Sequence, residues 1–148
     1  MKTLTVYAHP NVEGHCSTIL KNVETELKER KEKYEILDLY KIKFDPVLHE
    51  DELYSSGKKK EYPDVKQMQK KIKESDNLIF IYPIWWNNYP AILRGFIDRV
   101  FVSGFAFRYE KKLGNMVPVG LIKGKKATIF TTSGGSGLIF KYIQGCLS

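Results

Sequence analysis

Three short segments carry the residue types from which a ligand site can be assembled. The first, His9-Pro10-Asn11-Val12-Glu13-Gly14-His15-Cys16-Ser17, runs from an apolar stretch into helical periodicity. A helix start offers amide N–H groups without intrahelical acceptors, together with the positive end of the helix dipole, and both suit a phosphate. Ser17 and Thr18 add hydroxyls and His9 a ring N–H. The same residues read equally well as a plain helix cap, with Ser17 or Asn11 as the capping side chain. The segment is neither a Walker loop nor a Gly-x-Gly-x-x-Gly fingerprint.

The second segment, Tyr82-Pro83-Ile84-Trp85-Trp86-Asn87-Asn88-Tyr89-Pro90, places two Trp and two Tyr beside the end of an apolar run. Such walls suit a planar ring system, although paired aromatics also serve as ordinary core. The third, Thr131-Thr132-Ser133-Gly134-Gly135-Ser136-Gly137, offers backbone with little side-chain bulk and several hydroxyls. Its glycines allow close approach to a ligand, or simply a turn at positive φ. A phosphate cup, an aromatic wall and a small-residue wall together make the anatomy of a flavin pocket. The sequence shows no Ser-His-Asp set and no paired carboxylates. Two cysteines and the scattered His9, His15 and His49 give no metal-ligand spacing, so no metal is expected.

The elements that must position these segments alternate in type. Leu4–Ala8 reads as a buried strand that stops at His9-Pro10. Ile19, Leu20, Val23 and Leu27 recur at helical spacing, and Tyr34–Tyr40 returns to strand character. Residues 41–62 are irregular, which is long for a compact domain and marks a functional or partner-facing stretch. Pro63-Asp64 starts a helix with Val65, Met68 and Ile72 inward, and Leu78–Tyr82 is a buried strand. Pro90 opens a helix carrying Ile92, Leu93, Phe96, Ile97, Val100 and Phe101, and Ala127–Thr132 is a last strand. Alternation of this kind predicts an α/β fold with a parallel sheet. Ligands then sit beyond the carboxyl ends of the strands, which is where all three segments fall.

At 148 residues, 43% hydrophobic and 28% charged, the chain has the length and composition of a single domain spanning 1–148. No apolar run is long enough to span a bilayer, and the N-terminus reads as a strand, so a cytoplasmic protein is expected. The net charge of +7 raises nucleic acid as a partner. However, Lys28, Arg30, Lys31 and Lys33 alternate with Glu26, Glu29 and Glu32, a solvated helix face, and Lys58-Lys59-Lys60 sits in a loop. No nucleic-acid partner is expected. The positive field suits an anionic dinucleotide better.

These residues, in combination, resemble the flavodoxin-like NAD(P)H:quinone oxidoreductases. The likeness runs through His9-Pro10 and Gly14-His15-Cys16, then Pro83-Ile84-Trp85-Trp86 into Pro90-Ala91-Ile92-Leu93-Arg94-Gly95-Phe96. It continues through Asp98-Arg99-Val100-Phe101, Phe105-Ala106-Phe107 and Thr132-Ser133-Gly134-Gly135-Ser136. The resemblance implies a doubly wound, three-layer αβα fold lacking the last of five strands. It implies FMN or FAD, with NADH or NADPH as hydride donor and a quinone-like acceptor. By matched position, His9, His15, Cys16 and Ser17 would hold the phosphate and ribityl end. Pro83, Ile84, Trp85, Trp86 and Asn87 would line the isoalloxazine, and Thr132, Ser133, Gly134 and Gly135 would meet its pyrimidine end. Phe107, Tyr109 and Phe140 match substrate-pocket positions, the first two closing the neighbouring subunit's pocket in the family's homodimers. The family's Tyr and His beside the reduced flavin are matched here by Phe140 and Cys146, neither a strong hydrogen-bond donor. Tyr142 lies nearby, so Tyr142 and Cys146 are the catalytic candidates. A flavodoxin-like electron carrier and a flavin-binding ancillary subunit of a potassium-efflux system, working against a peripheral membrane partner, stay open as alternatives.

Overall fold

The computed structural model describes residues 1–53, 60 and 62–135. In chain order its regular elements are β1 (Lys2–Tyr7), α1 (His15–Glu29), β2 (Lys33–Asp38), α2 (Pro63–Glu74), β3 (Asn77–Pro83), α3 (Ala91–Val100), β4 (Phe107–Lys112), β5 (Asn115–Gly120) and β6 (Lys126–Thr132). A 3-10 turn at Glu50–Glu52 interrupts the long connection after β2. The expected parallel sheet is present, with strand order β2-β1-β3-β6. From β1 the chain winds first to β2 and then back to β3, so the order reverses between β1 and β3. That reversal is the switch point at which open α/β sheets bind ligands.

Alternation along β1 divides the interior. Leu4, Val6 and Ala8 point to one face, where they meet Val65, Met68 and Ile72 of α2 and Ile92, Leu93, Phe96 and Val100 of α3. Each such side chain contributes about 1.5–3 kcal/mol when fully buried. Tyr7 points to the other face and packs with Ile81 beneath Cys16, Ile19, Leu20 and Val23 of α1. Gly95 on α3 lies against the chain after β2: a Cβ there would fall 2.0 Å from the Pro46 carbonyl oxygen. Lys125 closes the opposite end of the sheet, its ammonium donating to the carbonyls of Lys73 and Ser75 at the end of α2.

The hydrophobic pattern assigns no element to residues 102–124, and here the structure adds a hairpin. β4 and β5 form an antiparallel hairpin apart from the main sheet. Its two-residue turn uses Leu113 at φ 50° and Gly114 at φ 85°, the primed geometry that matches strand twist. Leu is an unusual first residue for such a turn, which is why the sequence hid it. The hairpin is tied back by Leu121 N–H donating to the Ala106 carbonyl at 2.8 Å, and by Phe105 packing on Phe101. Phe140, Tyr142 and Cys146 lie outside the described residues.

Candidate functional site

The loops after β1, β3 and β6 leave the same edge of the sheet and converge. The Tyr7 hydroxyl donates to the Asn11 carbonyl at 3.3 Å, and burial, with help from Cys16 and Asp38, pushes its pKa up to about 12. Asn11 N–H donates to His9 Nδ1 at 3.0 Å. Nδ1 also lies 3.1 Å from the Asn11 carbonyl, but the amide N–H can only donate, so Nδ1 acts as its acceptor. With Nδ1 accepting, the proton of the neutral ring sits on Nε2, which is then a donor.

Gly14, at φ 115°, is the N-cap of α1, and no side chain caps the helix. Neither Ser17 nor Asn11 is therefore the capping side chain. Asn11 Oδ1 accepts from Glu13 N–H instead, and the Ser17 and Thr18 hydroxyls turn back to the Gly14 carbonyl at 2.9 and 3.0 Å. The first turn holds no acidic residue. A capless helix end without a carboxylate is open to an anion.

Across the cleft, Trp85 and Asn88 exchange two backbone hydrogen bonds of 2.8 and 3.0 Å around Trp86 (φ 51°) and Asn87 (φ 58°). The tight turn holds Trp86 and Asn87 in the left-handed region, which Asn tolerates and the bulky Trp86 adopts at a cost. Trp86 is fully exposed and Trp85 40% exposed, with Trp85 tilted on His9 at 6.0 Å. Ile84 N–H donates to the Thr132 carbonyl at 2.7 Å, joining the second loop to the third. Cys16 Sγ lies 3.1 Å from Thr132 Oγ1, joining the third to the first.

The result is an open cleft of about 470 Å³ lined by His9 and His15, by Pro83 to Trp86, and by Thr132 to Gly134. These are residues the sequence pointed to. Cys16 and Ser17 are buried under the cleft, and Asn87 and Gly135 stand outside its lining. A Cβ on Gly134 would meet nothing within 4 Å, so that wall faces open space. Among the described residues a larger hollow of about 670 Å³ runs between α1 and β6, where the apolar Ile19, Val23, Ile79 and Phe130 share the lining with Asn22, Arg30, Asn77 and Lys126. Among the described residues no cluster of His, Cys, Asp or Glu could hold a metal, and no helix is long and apolar enough to cross a membrane.

In the sequence Arg99 is one residue of the Asp98-Arg99-Val100-Phe101 run, yet in the structure it organises a second polar cluster. It is 2% exposed; Nε donates to both Glu52 carboxylate oxygens at 2.9 and 3.0 Å, and Nη1 donates to the Asp45 carbonyl at 2.6 Å. Phe44 and Tyr62 lie against its guanidinium, and His49 stacks on Tyr62. A signal was available: position 99 falls on the apolar stripe of Ile92 and Phe96.

A parallel sheet of four strands among the described residues, with a cleft at its switch point between a helix start without a side-chain cap and an aromatic turn, defines a doubly wound α/β protein. Residues 1–144 match the family described as having the flavodoxin-like fold. The chain is 34% identical over 137 residues to an uncharacterized NAD(P)H oxidoreductase of Haemophilus influenzae, covering 92% of this chain and 66% of that protein. It is 35% identical over 147 residues to the uncharacterized NAD(P)H oxidoreductase YcaK of Escherichia coli, covering 97% and 74%. An NAD(P)H:quinone oxidoreductase from Methanothermobacter marburgensis superposes with a TM-score of 0.83 at 26% identity, over 99% of this chain and 74% of that one. The chain belongs to the flavodoxin-like NAD(P)H:quinone oxidoreductase family.

Proposed function

We propose that the chain is a flavin-dependent NAD(P)H:quinone oxidoreductase, its reaction a two-electron hydride transfer to quinone-like acceptors. The observation that carries this is the meeting, in one cleft, of the capless α1 start, the Trp85-Trp86 turn and the open Gly134 wall. The residues fit the group. The amides at the start of α1 and the His9 Nε2–H suit its phosphate. Trp85 and Trp86 suit the ring system, and Ser133 and Gly134 its polar edge. Bound flavin supplies the hydride acceptance from NAD(P)H and the delivery to quinone. The chain's own part is orientation and exclusion. Tyr7, with its pKa near 12, stays a neutral donor that fixes the Asn11 carbonyl, and through Asn11 the His9 tautomer. Phe140 at the substrate pocket, and Tyr142 and Cys146 as catalytic candidates beside the flavin, stay part of the proposal.

A homodimer is part of this proposal. The hairpin β4–β5 is two-stranded, and such ribbons are marginal alone. One of its faces carries Phe107, Tyr109, Met116 and Pro118 by alternation, with Tyr109 54% and Met116 63% exposed. A second copy whose cleft lies under that face would cover both.

The test is an anaerobic titration of the flavin-loaded protein with NADPH, followed in the visible spectrum. Bleaching straight to the two-electron-reduced form, reversed by added quinone, is the expected result. A bound flavin that stays oxidised, or that stops at a stable one-electron-reduced form, sinks the reductase assignment in favour of the ancillary subunit or the carrier.

A further inference from the structure

The two faces of the hairpin differ in how their charges are disposed. On one, Arg108 pairs with Glu110 at 2.7–2.8 Å. That pairing, joined by Lys112 and Lys123, holds the Glu110 carboxyl below its usual range. The cations of this face are thus gathered around an acid.

The other face is set by β4 residues two apart. Phe107, Tyr109 and Lys111 lie along one side, opposite Gly120, Pro118 and Met116 respectively. The T-shaped contact of Phe107 with Tyr109, centroids 5.6 Å apart, confirms that they share it. Lys111 is exposed, makes no ion pair among the described residues, and does not take part in the environment of Glu110. An aromatic and thioether platform with one unneutralised ammonium at its end is complementary to a flat aromatic molecule bearing a negative group. The rings take the plane and the ammonium takes the charge.

The geometry points to Lys111 as a specificity-determining residue that favours acceptors carrying a sulfonate or carboxylate over neutral ones of the same ring system. This rests on the quinone-reductase reading, in which the hairpin face closes over the acceptor position. No oxidation state changes at Lys111; it acts on binding alone, and hydride still passes from NAD(P)H to the acceptor.

The experiment compares 2-methyl-1,4-naphthoquinone with a naphthoquinone sulfonate as acceptors for the flavin-loaded full chain. Wild type, Lys111→Gln and Lys112→Gln are measured at low salt. In Lys111→Gln, kcat/KM for the sulfonate should fall about fivefold, the scale of one exposed ion pair, while the neutral quinone is unaffected. Lys112→Gln, on the opposite face, should leave the ratio of the two acceptors unchanged. Equal losses for both acceptors, or the same loss in Lys112→Gln, would overturn the assignment in favour of bulk positive charge. Equilibrium binding of both acceptors, followed by quenching of Trp85 and Trp86 fluorescence without NAD(P)H, separates the two proposals. A sulfonate preference that disappears in Lys111→Gln, in a protein that does not turn over, upholds the selectivity and sinks the reductase. Turnover with no change in preference does the reverse.

Discussion

The molecule holds two concentrations of polar groups, and they are built in opposite ways. Around Arg99 the donors are closed: the guanidinium is buried, forked on Glu52, bonded to the Asp45 carbonyl and flanked by Phe44 and Tyr62. Around the cleft they are open: α1 has no side-chain cap, its first turn has no acid, and Trp86 stands fully exposed on a left-handed backbone. The paired, buried guanidinium fixes the chain after β2 against α3. An unsatisfied exposed cluster gives up stability and keeps donors available. The difference separates groups consumed in holding the fold from groups left available to a ligand.

The strongest way to break the comparison is to open the closed cluster. Arg99→Met leaves Glu52 buried without its partner, and denaturant unfolding should show a loss of about 3–5 kcal/mol. A loss under 1 kcal/mol would mean that the cluster is not a clasp. Gly95→Ala drives a Cβ into the Pro46 backbone and should destabilise by about 1–3 kcal/mol, since neither backbone can yield cheaply. Bound flavin should restore little of either loss.

The open cluster should respond in the opposite sense. His15→Glu places a carboxylate in the first turn of α1 and should raise stability by about 0.3–1 kcal/mol. The same charge should weaken flavin binding about tenfold, read by fluorescence titration, because it occupies the field meant for phosphate. Trp86→Gly relieves the left-handed strain and should add about 1 kcal/mol while lowering flavin affinity. Unaltered affinity would remove Trp86 from the ring-binding wall.

The smallest expected effect concerns pH and the Tyr7 joint between core and cleft. Its folded pKa, about 12, lies above the ordinary 10.0, so the stability it contributes is full below pH 10 and is lost as pH rises through 12. Tyr7→Phe should flatten the alkaline stability profile over that window and leave the profile near neutrality unchanged.

The sequence showed the sheet and the site unevenly. Buried strands such as Leu78–Tyr82 and helices with a full apolar stripe are local patterns, so their positions were readable. Three strand ends of odd composition were readable too, because a parallel sheet gathers strand ends at one edge. The hairpin was not, since Leu113 occupies a turn position usually held by Asn or Gly, and its strands bury too little to show a period. The role of Arg99 was not readable either, because a charge on an apolar stripe has meaning only once its partners Glu52 and Asp45, 47 and 54 residues distant, are known.

What the sequence determined by itself was the alternation of strands and helices, the flavin-suited loop chemistry and the family. Those follow from residue type and short-range spacing. Tertiary structure alone decided which side chains were consumed. It turned Ser17 and Thr18 back on Gly14, set the His9 tautomer through Asn11, and put Lys111 on the aromatic face of a ribbon. Each of these is a choice among partners, and a partner is fixed when the chain closes in three dimensions.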